Sequence, residues 1–164
     1  MRYKHVFAIC AYKDSPYLER CIRSLKAQTV PSHIIICTST PSSYIDRLAW
    51  KYGLQVYVRQ GESNIKDDWN FAYSMAEGGL VTIAHQDDMY HRDYSAGLLA
   101  AHKRYPDMTV FTTDYVIVKQ GKLITGDAML WIKRILRMPL RFPQMNDRAW
   151  LKKLAFVLDR KSVV

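Results

Sequence analysis

Four short apolar runs alternate with stretches of helical spacing, and this alternation constrains the architecture more than any other feature of the chain. Val6–Tyr12, with the sequence VFAICAY, is continuous in apolar, β-branched and aromatic residues, as expected of a parallel strand covered on both faces. His33–Cys37, Leu54–Val58 and Leu80–Ala84 read the same way. After the first run, Ser15 is placed to cap a helix with Pro16 at its first position, and Leu18, Ile22 and Leu25 recur at helical spacing before Pro31. After the second, the polar stretch 38–43 precedes a stripe of Ile45, Leu48, Ala49 and Tyr52, with Gly53 suited to a left-handed cap. A third helix is expected over Asp67–Ala76, with Trp69, Ala72, Tyr73 and Ala76 on one face and Gly78-Gly79 as its end. Asp93 should cap a fourth helix reaching Tyr105, followed by a fifth strand at Thr109–Thr113 and a hairpin over Val116–Ile124, turning at Gln120-Gly121 and lying at the sheet's edge. Right-handed crossovers then give an α/β fold: a three-layer, Rossmann-like, mainly parallel sheet with helices on both faces.

A chain of 164 residues can bury about 70% of its unfolded surface in one core. Cys10, Cys21 and Cys37 are odd in number and show no metal-ligand spacing, so they read as small hydrophobes in a reducing cytosol. No run approaches the roughly 18 apolar residues of a membrane span. The net charge of +9 is uneven. Residues 1–128 carry 15 Lys/Arg against 13 Asp/Glu, whereas residues 129–164 carry 9 against 2. The expected organisation is therefore a sheet domain over 1–128 and a basic helical extension over 129–164. The extension divides into Met129–Met138 and about Gln144–Leu158, separated by Pro139 and Pro143. Their apolar faces suit packing on protein, or an anionic membrane surface at the inner face of the membrane. No nucleic-acid partner is expected, because the charge is confined to helices with large apolar faces and no recognition motif accompanies it.

In an open parallel sheet, ligands bind beyond the carboxyl ends of the strands. Tyr12-Lys13-Asp14, Thr38-Ser39-Thr40, Asn64 and His85-Gln86-Asp87-Asp88 all fall at that edge. Asp87 and Asp88 repel one another when both are ionised, which a cation or strong donors would relieve. Hard carboxylate oxygens suit Mg²⁺ or Mn²⁺ shared with substrate phosphates. An acidic pair of this kind is also a common turn or helix cap.

Residues 4–120 resemble the N-terminal part of family-2-type glycosyltransferases of the GT-A fold. The resemblance rests on the strand ending in Ala11-Tyr12, on Tyr17–Leu25 with Gln28-Thr29, on Asn64, Asn70-Phe71-Ala72 and Ala76-Glu77-Gly78, and on His85-Gln86-Asp87-Asp88 at the family's acidic motif. It implies a nucleoside-diphosphate sugar as donor and a saccharide or lipid-linked acceptor. It also implies a divalent metal, a cytoplasmic setting and a role in bacterial surface polysaccharide synthesis. Carried over by position, Ala11, Tyr12, Asp14, Thr38, Ser39, Asn64 and Asp87 are candidate donor-binding residues. Asp88 and Asp87 are candidate metal ligands, with His85 a further one. This chain departs from the family in placing Thr38-Ser39 where an acid is frequent, His85 where another is frequent, and Lys13 where asparagine is frequent. The family's catalytic base lies in sequence beyond this half, and Asp114 is the one spare carboxylate near the expected site. The alternative reading is a non-catalytic nucleotide-binding or partner-binding module.

Overall fold

The computed structural model describes residues 3–113, 115–119, 122–124, 131, 132 and 135. The chain divides into two compact units, Met1–Phe111 and Thr112–Val164. In the first, strand β1 (Tyr3–Ala11), helix α1 (Leu18–Lys26), β2 (His33–Thr38), α2 (Ser43–Tyr52), β3 (Gln55–Val58), α3 (Ile65–Met75), β4 (Gly78–His85) and α4 (Tyr94–Arg104) alternate along the chain. The sheet order is β3-β2-β1-β4 and every pairing is parallel. The four apolar runs therefore become parallel strands, as expected, with β2 and β1 inside the sheet and β3 and β4 at its edges among the described residues.

The period-two geometry of β1 sorts its residues between two cores. Phe7, Ile9 and Ala11 point toward α1 and α2, where Leu18, Cys21, Ile22, Leu25, Ile45, Leu48 and Ala49 close the layer. Val6 and Ala8 point the other way, toward Ala72 of α3, with Ile35 and Cys37 of β2 beside them. Each strand is thus apolar on both faces, which explains why the runs are continuous rather than alternating. Burial pushes the thiols of Cys10, Cys21 and Cys37 up to about 12, so all three stay protonated at neutral pH.

Local chemistry sets the helix ends. Ser42 caps α2 by accepting from Ile45 N at 3.3 Å, and Gly53 closes it at φ 61°. Three boundaries differ from expectation. Ser15-Pro16-Tyr17 form a turn before α1 rather than its first residues, with Leu18 N donating to Ser15 O. α3 begins two residues before Asp67, because Asn64 caps it by accepting from Asp67 N at 2.9 Å. Gly78-Gly79 open β4 instead of ending a helix, and Gly78 pairs with Tyr3. A Cβ at Gly78 would lie 2.8 Å from Val6 Cγ2 and 2.9 Å from Leu80 O, so a side chain would force the strand apart.

The expected strand at Thr109–Thr113 does not form. A strand exists through its ladder partner, and here Phe111 packs its ring on Tyr94 with centroids 5.9 Å apart while Val110 faces solvent. In the second unit the hairpin is present as β5 (Ile117–Lys119) and β6 (Lys122–Ile124), an antiparallel two-stranded sheet of its own. Trp131, Ile132 and Ile135 are helical and exposed. The rest of Met129–Met138, all of Gln144–Leu158 and Asp114 lie outside the described residues. Among the described residues, no helix is long and apolar enough to cross a membrane.

The end of the first unit opposite the carboxyl edge is tied by a polar network. His5, 3% exposed, holds Ser32 Oγ at 2.8 Å through Nδ1 and Thr82 Oγ1 at 2.8 Å through Nε2. Ser32 donates on to Ser95, and Thr82 meets Tyr94 OH at 3.2 Å, so β1, β4 and α4 share one set of hydrogen bonds. Burial pushes the His5 pKa down from 6.5 to about 4. The native imidazole is then neutral over a range where the unfolded chain binds a proton. Stability is full above pH 6.5 and declines as the pH falls toward 4, by up to about 3 kcal/mol at 1.36 kcal/mol per pKa unit. Urea titrations across that range should show wild type losing stability more steeply than His5→Gln; parallel curves would assign the acid sensitivity elsewhere.

Candidate functional site

β1 lies between β2 and β4, so the chain leaves β1 in one direction to form β2 and reaches β4 on the other side. At such a reversal the loops diverge and leave a crevice beyond the strand ends. Here a cleft of about 370 Å³ opens, lined by Cys10, Ala11, Tyr12, Ser63, Asn64, Ile65, Asp68, Trp69, His85, Gln86 and Asp87. Three stretches of sequence that are distant from one another, 10–12, 63–69 and 85–87, thus line the cleft, while the expected loop after β2 does not, and its size and position suit a small ligand.

Of the residues singled out from the sequence, Ala11, Tyr12, Asn64, His85 and Asp87 line this cleft. Tyr12 is half-exposed, with Lys13 Nζ 5.0 Å from its ring centroid. Asn64 faces the cleft while capping α3, and its Nδ2 also donates to Asp67 Oδ2 at 2.8 Å. Thr38 is buried, and its Oγ1 accepts from Thr40 N. Asp14 accepts from Ser42 Oγ at 2.6 Å, tying the first loop to the cap of α2. Ser39 donates to Asp68 at 3.0 Å. Asp88 follows the cleft-lining Asp87, its N–H donating to His85 O. Burial against the protein raises the Asp88 carboxyl above the usual aspartate range; nearby His85 opposes that shift and the like charge of Asp87 adds to it.

Several cleft residues were not visible as such in the sequence. Asp68, in the first turn of α3, accepts from Arg59 Nε at 2.7 Å, Ser39 Oγ at 3.0 Å and Ser63 Oγ at 3.0 Å. Burial pushes its carboxyl up, but these hydrogen bonds and the Arg59 charge outweigh it and leave the group below the usual range. Arg59 also donates to the carbonyls of Gln60 and Glu62, so one side chain shapes the whole loop after β3. Trp69 also lines the cleft, its ring edge-on to His85 at a centroid distance of 4.9 Å. The sequence signal for this wall was the Asn64-to-Asp67 spacing, a capping pattern that moves the start of α3 forward and brings Ile65, Asp68 and Trp69 to the strand edge.

The site defined by this geometry is a ligand crevice at the switch point of an open parallel sheet. Asp87 lines it together with the aromatic Trp69 and the hydrogen-bonded Asp68, and Asp88 follows Asp87 in the chain. The family model for glycosyl transferase family 2 matches residues 6–161, and the chain belongs to that family. Its fold is similar to the crystal structure of TarS from S. aureus, at 21% identity and a TM-score of 0.53, over 62% of this chain and 20% of that one. A crystal structure of residues 1–349 of TarS gives 17% identity and a TM-score of 0.55 over 71% and 41% of the two chains. The chain thus spans less than half the length of these two structures. No curated protein matches it at a significant level.

Proposed function

We propose that the chain is the donor-binding half of a glycosyltransferase that uses a nucleoside-diphosphate sugar to glycosylate an acceptor hydroxyl, in the synthesis of a bacterial surface polysaccharide. The observation that supports this reading is Asp87 in the lining of the switch-point crevice, with Asp88 next in sequence, in a member of this family. The proposed acceptor is a saccharide or a lipid-linked acceptor.

The residues present fit a divalent cation. Asp88 is raised by burial and by the like charge of Asp87, and a cation beside the pair relieves that repulsion. Among the described residues, no three His, Cys, Asp or Glu side chains converge. This donor set suits Mn²⁺ or Mg²⁺, ions that bind through one or two carboxylates and take further oxygens from a diphosphate. Asp88, Asp87 and, as a further candidate, His85 would hold it; when bound, the cation supplies charge neutralisation for the departing diphosphate.

The chain's own residues do the rest of the binding. Tyr12 offers its ring to the nucleobase, and the acceptor-rich wall of Ser63 and Asp68 faces ligand N–H and O–H groups. In transfer, the acceptor oxygen bonds to the anomeric carbon, the bond to the diphosphate breaks with its electron pair, and the acceptor proton passes to a base. Incubating the chain with Mn²⁺ and a panel of uridine, guanosine, adenosine, cytidine and thymidine diphosphate sugars tests the reading. Saturable binding of one donor by calorimetry supports it, and indifference to the whole panel overturns it. Release of nucleoside diphosphate separates an enzyme from a module that only binds.

A further inference from the structure

The backbone between β1 and α1 is strained and pinned from both sides. Lys13 has φ 52°, the single non-glycine residue of positive φ among the described residues. For an L-residue with a long side chain this conformation is sterically disfavoured and persists only when its surroundings impose it. The ladder between β1 and β4 ends at Cys10 and His85, leaving the N–H and C=O of Tyr12 beyond the last paired strand residues. Gln86 fills that place with its side chain. Its Oε1 accepts from Tyr12 N at 2.9 Å and its Nε2 donates to Tyr12 O at 3.0 Å, as a paired strand residue would. From the β2 side, Thr40 Oγ1 accepts from Lys13 N at 2.7 Å.

We propose that Gln86 is a positioning residue for the nucleotide: with Thr40, its amide holds the strained Tyr12–Lys13 turn in the shape that presents the Tyr12 ring to the base. The inference rests on the donor-binding reading above and adds to it the group that sets the shape of the nucleoside pocket. Each polar atom of the Gln86 amide holds one backbone group of Tyr12. Its neighbour Asp87 faces the cleft directly. One residue of the acidic turn therefore serves the nucleoside end through the β1 loop, while the next serves the diphosphate end.

The test separates the two ends. Binding of UDP, GDP, ADP, CDP and TDP with Mn²⁺ is measured for wild type, and the best of these is compared with inorganic pyrophosphate and Mn²⁺ in Gln86→Ala and Gln86→Glu. A released loop is competent only part of the time, and affinity falls by that fraction, so nucleotide affinity is expected to drop about tenfold. Pyrophosphate affinity should stay within about twofold, on the same argument that the diphosphate end is untouched. In the Tyr12→Ala background, Gln86→Ala should produce no further loss. Without any ligand, the Tyr12 amide should exchange with solvent faster in both Gln86 variants. Equal losses for nucleotide and pyrophosphate, additive effects with Tyr12→Ala, or unchanged Tyr12 exchange would each overturn the role of Gln86 and leave donor binding standing. Failure of wild type to bind any of the five nucleotides would instead remove the donor reading, and this role with it.

Discussion

Replacing Asp88 by alanine should abolish the thermal stabilisation that Mn²⁺ and a nucleoside-diphosphate sugar confer on the wild-type chain. A ligand at about 100 times its dissociation constant stabilises the native state by about 2.7 kcal/mol. For a chain of this size that is a rise in Tm of about 5–10 °C. The size of the loss follows from the small number of protein groups available to the cation. Without Asp88, Asp87 remains as the one carboxylate of the turn, and a single carboxylate holds Mn²⁺ weakly. The apo variant should be at least as stable as wild type, because the substitution removes a carboxyl whose burial and like-charged neighbour already disfavour its ionised form. Scanning calorimetry with and without Mn²⁺ and donor checks both statements together. A variant that kept the full shift would place the cation elsewhere, and one that lost stability without ligand would give Asp88 a structural role.

Arg59→Ala is the substitution with the largest expected effect on folding, a loss of about 2–3 kcal/mol. The Arg59 and Asp68 side chains are only 15% and 21% exposed, so solvent compensates poorly for the lost partner. The carbonyls of Gln60 and Glu62 also lose their donor. The pH dependence should become shallower. In wild type the Asp68 carboxyl lies below its usual value, so its contribution is present above pH 3.8 and is lost as the pH falls through the folded pKa. Once Arg59 is removed, burial is opposed by the Ser39 and Ser63 hydrogen bonds without the arginine, so the carboxyl moves up toward its usual value and less stability is lost as the pH falls. Chemical denaturation from neutral pH to below pH 3.8 should show the flatter profile of the variant. Arg59→Ala/Asp68→Ala should be more stable than Arg59→Ala at pH 7, since the uncompensated charge has gone with its partner. Equal stability of the single and double variants would mean that Arg59 acts on the loop carbonyls alone.

The two predictions meet in the cleft. Arg59 neutralises Asp68 and so keeps one wall polar without leaving it strongly anionic. Among the described residues, no arginine is bonded to Asp87 or Asp88, and burial raises the Asp88 carboxyl instead. The same residue type thus has opposite environments within one small site, and the difference comes from which loop carries the arginine.

The order of apolar runs fixed the fold class, because a continuous Val/Ile/Ala strand can be stable only with helices on both faces. The α2 cap at Ser42, its end at Gly53 and the acidic turn at the end of β4 were legible for similar reasons, being local chemistry written within a few residues. The start of α3 was misplaced since Asp67 and Asn64 both suit a cap, and the backbone that decides between them is set by the loop after β3. Thr109–Thr113 has the composition of a strand, yet composition cannot supply a ladder partner. Gly78-Gly79 resembles a helix end but opens a strand, because close approach to Val6 is visible only once β1 and β4 are paired.

For the site, the sequence by itself determined which strand ends carry polar residues and that Asp87 and Asp88 sit together. Tertiary structure alone decided that Asp68 from α3, Arg59 from the β3 loop and Ser39 from the β2 loop form one cluster, and that Gln86 spends its amide on Tyr12. These partners lie between 9 and 74 residues apart. Local periodicity reports the face a residue occupies; the order of strands in the sheet determines which faces meet.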